Sequence, residues 1–201
     1  MSLFIPTYFS PISQYKALVN AKNIVFEVED NFQKQTYRNR CYIYAANGKQ
    51  LLNIPVKHPN SEGRKKTKDC LVENNSHWQS QHLKSLEAAY RNSPFYEYYI
   101  DDLLPIFTKN YHFLLDVNLE SFTRIMEALQ LPVQFSKTTD YQTETENDFR
   151  EFANAKQLQA LQQAPYIQMF DDKYGFIPDL SILDLLFMEG PNAITYLEKK
   201  E

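Results

Sequence analysis

The order of predicted strands and helices in the first 57 residues constrains the fold more than any other feature. Residues 3–9 and 23–28 have the apolar and β-branched character of strands, and residues 13–21 between them predict a short helix. A strand–helix–strand order with short joints favours a parallel pair of strands with a right-handed crossover. Residues 34–45 and 50–57 predict two further strands.

The turn that joins these last two strands is predicted at Asn47-Gly48. Asn-Gly between alternating hydrophobic residues is a strong hairpin signal, because both central residues of the turn take positive φ. In this register Cys41 faces Ile54 on an apolar side, and Arg38 faces Lys57 on the opposite side. Two like charges directly opposite each other destabilise a ladder by up to ~1 kcal/mol. The polar face of the predicted hairpin is therefore either solvated, paired with acids of the helical half, or bound to an anionic ligand.

The second half of the chain has mainly helical periodicity. Helices are predicted at residues 78–90, 94–107, 149–162 and 181–188, and in a segment that Asn118 is expected to cap. Residues 132–137 and 166–170 resemble short strands, and the polar residues 138–148 predict an exposed loop.

The predicted fold class is α/β, with α+β as the alternative. We expect a mixed β-sheet from the N-terminal half, with a β-hairpin, covered by helices from the C-terminal half. Residues 1–201 are expected to form a single domain that is β-rich over residues 1–73 and mainly helical over residues 76–201.

Positive charge is concentrated in one segment of an acidic chain. Residues 31–68 carry nine Lys or Arg and one acid, Glu62, which leaves 12 of the 21 basic and 24 of the 25 acidic residues elsewhere. Clustered like charges repel one another unless an anion or nearby acids offset them. The segment is either a solvated face balanced by acids of the helical half or the site of an anionic ligand. We favour the ligand, because the segment has almost no acid of its own.

Composition argues against several classes of protein. A hydrophobic content of 43%, with 14 Tyr and 14 Phe, supports a packed core, and only four Gly argue against glycine-rich phosphate loops. No apolar run is long enough to span a membrane, and no secretory signal is visible, so we expect a cytoplasmic protein. An isoelectric point near 5.6 makes nucleic acid an unlikely partner.

The cysteines and histidines indicate neither a metal site nor a cofactor. Cys41 and Cys70 are expected to be buried thiols in a reducing compartment. His77 and His82 lie five residues apart, which is not the spacing of a helical metal-binding pair. His82 is instead expected at the edge of the core with a satisfied hydrogen bond. No metal and no cofactor is therefore predicted.

The candidate ligand-binding residues lie mostly on the polar face of the hairpin. Guanidinium groups bind phosphate or carboxylate through paired N–H groups, and a helix start at Ser93-Pro94 offers backbone N–H groups beside Arg91. Capping alone is the other interpretation of Ser93-Pro94. The candidates for anion or substrate binding are Lys34, Arg38, Asn39, Arg40, Tyr42, Lys57 and Arg91.

Two further polar residues each have a functional and a structural interpretation. His58 is the candidate for proton transfer because imidazole titrates near neutral pH, and a surface histidine at a strand end is the alternative. Asp184, three residues after Ser181, is predicted to complete a capping box, although a carboxylate that opens on a cleft is the alternative.

Three blocks of the sequence resemble the WbqC-like family of bacterial proteins. They are Pro6-Thr7-Tyr8-Phe9 with Pro11, the hairpin from Lys34 to Lys57 with its Asn39-Arg40 and Asn47-Gly48 pairs, and Asp179 to Phe187 followed by Glu189-Gly190-Pro191. Members of that family more usually have Gln where this chain has Ile5. The family is associated with O-antigen and other surface-polysaccharide loci, so the resemblance implies handling of nucleotide-linked or phosphorylated sugars. It implies a pathway and carries over no catalytic residue.

The function expected from the sequence is group transfer on a nucleotide-linked or phosphorylated sugar in surface-polysaccharide biosynthesis. The alternative is a non-catalytic module that binds a sugar nucleotide or a nucleic acid. In either case the expected partner is an anionic small molecule, and the reaction, the oligomeric state and whether the chain is catalytic at all stay open.

Overall fold

The computed structural model describes residues 1–57, 65–155 and 163–199. Within these ranges the chain has an α/β fold, as the sequence predicts. The strands are β1 Ser2–Phe4, β2 Ile24–Phe26, β3 Arg40–Ala45, β4 Gly48–Asn53, β5 Ser136–Lys137 and β6 Asn147–Asp148. The α-helices are α1 Ile12–Val19, α2 Trp78–Tyr90, α3 Tyr96–Thr108, α4 Leu114–Ala128, α5 Asp171–Tyr174, α6 Ile182–Glu189 and α7 Ala193–Glu198. Short 3-10 helices cover Thr67–Asp69, Asn74–Ser76, Arg150–Ala153 and Gly190–Asn192.

Four short strands form a parallel sheet in the order β5-β2-β1-β6. β1 pairs with β2 in the register Ser2↔Ile24, and α1 connects the two strands, which confirms the predicted strand–helix–strand unit. All three residues of β1 are buried, as expected for a central parallel strand. The outer strands β5 and β6 have two residues each and come from the segment between α4 and α5. Residues 147–148, predicted to belong to a loop, are therefore an edge strand.

The antiparallel hairpin β3–β4 has a different register from the predicted one. Ala45 pairs with Gly48 and Cys41 with Leu52, so the turn residues are Ala46 and Asn47. Gly48, which follows them, has a positive φ of 94°. The predicted turn has two residues with positive φ. The observed turn instead is followed by a single glycine with positive φ.

The new register keeps the predicted faces and removes the predicted charge pair. Each partner moves by two residues, and side chains alternate, so Cys41, Ile43 and Leu52 remain buried. The ladder ends at Arg40 opposite Asn53, so Arg38 and Lys57 are not cross-strand neighbours in it.

The helices cover the hairpin and the sheet around one aromatic-rich core. α2 packs on β3, and α3 packs on α2 and α4. Trp78, Tyr8, Tyr15, Tyr44 and Tyr90 are the largest fully buried side chains. None of the helices in the described part of the chain has the length and apolar character that a membrane crossing requires.

Three predictions about the second half are wrong. Asn118 does not cap a helix, because α4 begins at Leu114 and Asn118 lies inside it. Residues 166–170 form no strand. Only a 3-10 helix, Arg150–Ala153, occurs in the predicted helix at 149–162, whose residues 156–162 lie outside the described residues.

Asp184 does not complete a capping box. Ser181 does cap α6, since its Oγ accepts a hydrogen bond from the N–H of Leu183 at 3.3 Å. The Asp184 carboxylate instead is fully buried and accepts hydrogen bonds from Tyr90 Oη at 2.6 Å, Tyr166 Oη at 2.5 Å and Gln168 Nε2 at 3.0 Å.

Candidate functional site

A cleft of about 740 Å³ lies at the carboxyl edge of the parallel sheet. Residues that follow each of the four strands line it: Ile5 after β1, Glu29 and Asp30 after β2, Tyr141 after β5 and Arg150 after β6. The chain leaves β1 toward β2 on one side, whereas β6 lies on the other side of β1. In open α/β sheets, ligands bind outside the carboxyl ends of the strands at such a change of direction. The position of this cleft makes it the candidate functional site.

A buried ion pair between Arg38 and Asp30 forms part of the cleft wall. The Arg38 side chain is 4% exposed and the Asp30 side chain 7% exposed, and Arg38 Nη2 donates to Asp30 Oδ2. Arg38 Nη1 also donates to Thr36 Oγ1 at 3.3 Å. Asp30 directly precedes the basic segment, so the acid that offsets Arg38 comes from the segment that follows β2.

This ion pair uses only part of its hydrogen-bonding capacity within the described residues. Among the described residues, neither Arg38 Nε nor Asp30 Oδ1 has a hydrogen-bond partner, although both atoms are buried. An unpaired buried donor or acceptor costs about 1–3 kcal/mol of desolvation. An orphan donor and an orphan acceptor on residues that line one cleft are what a bound polar ligand would satisfy.

The backbone of Arg38 is held by α4 and by the loop after β1. Asn118 Nδ2 donates to the carbonyl oxygens of Arg38 at 2.9 Å and of Pro6 at 3.0 Å. Next to Arg38, the N–H of Tyr8 donates to the carbonyl of Tyr37 at 3.0 Å, and Tyr37 N–H donates to the carbonyl of Ala153. These contacts fix the Arg38 segment between the sheet and α4.

Glu29, which also lines the cleft, forms ion pairs with two lysines. Lys66 Nζ and Lys68 Nζ each donate to one oxygen of Glu29 at 2.5 Å. The hydrogen bond from Lys66, followed by that from Lys68, lowers the pKa of the Glu29 carboxyl. The segment that carries both lysines continues the edge beyond β2, because the N–H of Thr67 donates to the carbonyl of Asp30.

A buried carboxylate organises the loop between β5 and β6. Glu27 is fully buried, and its oxygens accept hydrogen bonds from Thr138 Oγ1 at 2.8 Å and from the N–H of Gln142 at 2.9 Å. Arg150 Nη1 lies 3.9 Å from the same carboxylate, and its guanidinium carbon stands 5.3 Å from the ring centre of Tyr141. Glu27 thereby positions Tyr141 and Arg150 at the cleft.

The charges that line the cleft are balanced. Asp30, Glu29 and Glu151 supply the negative charges, and Arg38, Lys66 and Arg150 supply the positive ones. A site built for a bare anion would have an excess of positive charge. The lining therefore suits a ligand with neutral polar groups as well as any charge.

Three basic residues, on β3 and on the segments that flank the hairpin, have no ion-pair partner within the described part of the chain. Lys34 and Lys57 are exposed and Arg40 is half-buried, and none of them forms an ion pair with a carboxylate of the described residues. Arg40 Nε is buried without a hydrogen-bond partner in that part of the chain. Tyr42, two residues along the strand, lies under Lys49 Nζ, which is 4.4 Å from its ring centre.

The Asn39 side chain forms hydrogen bonds between the two chain segments at the open end of the hairpin. Its Nδ2 donates to the carbonyl of Ile54 at 2.9 Å and to Asn53 Oδ1 at 3.1 Å. The side chain is 7% exposed. It therefore joins the ends of β3 and β4 beyond the last ladder pair.

Arg38 is the one predicted binding residue among the residues that line the cleft. The other predicted binding residues within the described part of the chain do not line it: Lys34, Asn39, Arg40, Tyr42, Lys57 and Arg91. Arg91 is exposed, lies 3.8 Å from Glu87 at the end of α2, and does not line the cleft that contains Arg38. The expected helix start at Ser93-Pro94 is also displaced, since α3 begins at Tyr96. His58 lies outside the described residues.

Sequence reasoning missed the acids of the site. Asp30 lies one residue before the basic segment, and Glu27 and Glu29 lie at the end of a strand whose apolar residues predict only a core element. The signal that marks these acids is position: acids directly after a buried parallel strand lie at the edge where ligands bind. The position of Asn118 in the sequence carries no such signal, because its side chain bonds the backbone of two segments, at Pro6 and at Arg38.

Comparisons with known proteins agree with the resemblance drawn from the sequence. The chain is 27% identical over 204 residues to the Mycobacterium tuberculosis protein described as "Uncharacterized protein Rv1507c", in a match that covers 86% of this chain and 87% of that protein. No solved structure matches the chain. The model of the WbqC-like protein family matches residues 6–168, a span that includes β2 to β6 and the whole candidate site apart from Ile5. The chain belongs to the WbqC-like protein family.

Proposed function

We propose that the protein binds a nucleotide-linked or phosphorylated sugar in the cleft at the carboxyl edge and acts as a group transferase in bacterial surface-polysaccharide assembly. The observation that carries the proposal is the orphan pair, Arg38 Nε and Asp30 Oδ1, in the wall of that cleft. The association of the WbqC-like family with surface-polysaccharide loci supplies the pathway.

In the proposed site, the phosphate groups of the ligand bind the cations that have no ion-pair partner among the described residues. Gln33 lines the cleft, and Lys34 follows it as an exposed ammonium group. Arg40 and Lys57 offer further positive charge on the hairpin, with Tyr42 as a flat surface for a sugar or base. In this proposal the phosphates bind Lys34, Arg40 and Lys57, and the sugar occupies the charge-balanced cleft.

A second candidate function is a binding module without catalysis, for a sugar nucleotide or a nucleic acid. The basic side chains of Lys34, Arg40 and Lys57 favour it, because their contacts to phosphates need no reacting group. The two classes of partner differ in salt dependence. Binding to polynucleotides of unrelated sequence that falls steeply with salt favours nucleic acid.

A calorimetric panel tests the proposed function. Wild-type protein is titrated with UDP-, GDP- and dTDP-linked sugars, hexose phosphates and single-stranded polynucleotides at two salt concentrations. The proposal expects dissociation constants in the micromolar range for at least one phosphorylated or nucleotide-linked sugar and weaker binding of polynucleotides. Absence of binding for every sugar at millimolar concentration contradicts it.

Transfer is then tested with the sugar nucleotide that binds. Release of nucleoside diphosphate is followed with a set of hydroxylated acceptors. Turnover that depends on an acceptor supports the transferase. Binding without turnover for every acceptor favours the non-catalytic module.

A further inference from the structure

The Arg38–Asp30 ion pair, in the wall of the cleft, leaves one buried donor atom and one buried acceptor atom without a partner among the described residues. Arg38 Nη2 donates to Asp30 Oδ2 and Nη1 donates to Thr36 Oγ1, so Nε is the guanidinium nitrogen that makes no hydrogen bond among the described residues. Asp30 Oδ1 is the remaining atom of the carboxylate. Because both side chains are more than nine-tenths buried, neither atom is satisfied by bulk water.

The chemistry of this pair discriminates among polar groups. A phosphate or carboxylate oxygen accepts from Arg38 Nε–H but repels Asp30 Oδ1, since neither ionised group carries a proton to share. An ammonium group donates to Asp30 and repels Arg38. A hydroxyl group both accepts and donates, so it alone among these satisfies Nε–H and Oδ1 together.

We infer that Arg38 and Asp30 bind a sugar hydroxyl and not a phosphate, so that the pair is the specificity element for the sugar ring. The inference rests on the proposed function and assigns the sugar of that ligand to the ion pair. It differs from the expectation that Arg38 clamps the anion. Its physical reason is that Asp30 already neutralises the Arg38 charge in a buried position.

Substitution of Arg38 by Lys tests whether Arg38 contacts a sugar hydroxyl or a phosphate. R38K keeps a positive charge beside Asp30 and removes Nε–H. Binding of each nucleotide sugar is compared with binding of the matching nucleoside diphosphate, for example UDP-glucose with UDP. A site that hydrogen-bonds a substrate hydroxyl discriminates strongly against a ligand that lacks it.

R38K is expected to lose the preference of wild type for the nucleotide sugar over the nucleoside diphosphate. Wild type is expected to bind a nucleotide sugar at least ~10-fold more tightly than the bare diphosphate, and R38K to bind both within ~2-fold of each other. Affinity for the diphosphate should stay within ~2-fold of wild type, because the phosphates lie elsewhere. Arg124 on α4, which pairs with Glu120 away from the cleft, gives the matched control R124K, expected to behave like wild type.

The outcomes distinguish failure of the inference from failure of the proposed function. If R38K weakens sugar nucleotide and diphosphate equally, Arg38 contacts phosphate and the inference is overturned. If wild type binds the sugar nucleotide and the diphosphate equally, the inference is also overturned. If wild type binds no sugar of the panel, the proposed function itself fails.

A second measurement needs no variant and covers the case in which R38K does not fold. Wild type is titrated with deoxy analogues of the sugar nucleotide that binds, each lacking one ring hydroxyl. One analogue should bind at least ~10-fold more weakly than the parent, because it leaves both buried atoms unpaired. Equal binding of all analogues contradicts a hydroxyl contact.

Discussion

His82 is buried between α2 and the hairpin, with both ring nitrogens engaged. Tyr8 Oη donates to its Nδ1 at 3.0 Å, and its Nε2 donates to the carbonyl of Asn53 at 3.2 Å. Both contacts suit the neutral ring. The prediction of a core-edge histidine with a satisfied hydrogen bond is confirmed.

Protonation of His82 should make the protein acid-sensitive. Burial lowers the pKa of His82 to about 4. An unfolded histidine titrates near pH 6.5, so the unfolded state takes up the proton first, and stability is lost as the pH falls from about 6.5 to about 4. The loss attributable to this group is about 3 kcal/mol.

Urea unfolding at pH 7 and pH 4 measures this loss. H82Q should show a smaller fall in unfolding free energy between the two pH values than wild type. H112Q, at an exposed histidine, is the control and should fall as wild type does. An identical pH dependence for H82Q and wild type would show that His82 contributes nothing to it.

Asp184 is another ionisable residue that is buried in the core. Three donors from α2 and from residues 166–168 surround its carboxylate. Burial raises its pKa and the hydrogen bonds from Tyr166, Tyr90 and Gln168 partly offset that rise. Its stabilising contribution is therefore greatest below pH ~4 and declines as the pH rises through the folded-state pKa.

Asp184→Asn should destabilise the fold rather than only fray a helix end. The amide places N–H groups opposite donors, so the free energy of unfolding should fall by about 1–3 kcal/mol. D172N, at an exposed residue of α5, is the matched control and should be near neutral. A change in D184N no larger than in D172N would show that the network adds nothing to stability.

At the scale of elements, glycine positions test the hairpin and the end of α6. Gly48 has φ of 94°, and a Cβ there would have no atom within 4 Å, so only backbone strain opposes a side chain. Gly190 has φ of 52°, and a Cβ there would lie 2.5 Å from the ring of Phe95. The same substitution therefore meets strain at one position and strain plus a clash at the other.

Gly→Ala at these two positions should differ in cost. G48A should lower the free energy of unfolding by about 1–2 kcal/mol, the cost of a left-handed non-glycine residue. G190A should cost about 1–3 kcal/mol more, because the Phe95 ring must shift in a packed core. Thermal and urea unfolding of both variants measures the difference. Equal costs would contradict the close contact between Gly190 and Phe95.

The hairpin shows why the side of a strand on which a residue lies is easier to predict than the residue opposite it. Alternation of apolar residues assigns Cys41 and Ile43 to the core whichever turn is used, because a shift of two residues preserves the pleat. The turn itself depends on the φ of Asn47 and Gly48, and the sequence Asn-Gly is compatible with either arrangement. In the observed register Arg38 lies beyond the last ladder pair, and its guanidinium pairs with Asp30 instead of facing Lys57.

At the scale of the whole molecule, the fold class and the strand–helix–strand unit were predictable, and the location of the candidate site was predictable only in part. Strong periodicity predicted α2 to the residue. The two-residue strands β5 and β6 carry no period, so the carboxyl edge they complete with β1 and β2 was not visible. The basic segment indicated Arg38, while the cleft that contains it depends on tertiary packing.

A cleft-filling substitution tests the central claim, that the ligand binds at the carboxyl edge of the parallel sheet. Asn31 is exposed and lines the cleft, so N31W fills it without removing a buried contact. Asn110 is also exposed and lines a separate cavity of about 440 Å³ before α4, so N110W is the matched control. The measurement is the dissociation constant for the sugar nucleotide that binds wild type most tightly. We expect at least ~10-fold weaker binding by N31W, since the ring occupies the ligand volume, with N110W unchanged. Unchanged binding by a folded N31W would place the site elsewhere and contradict the central claim.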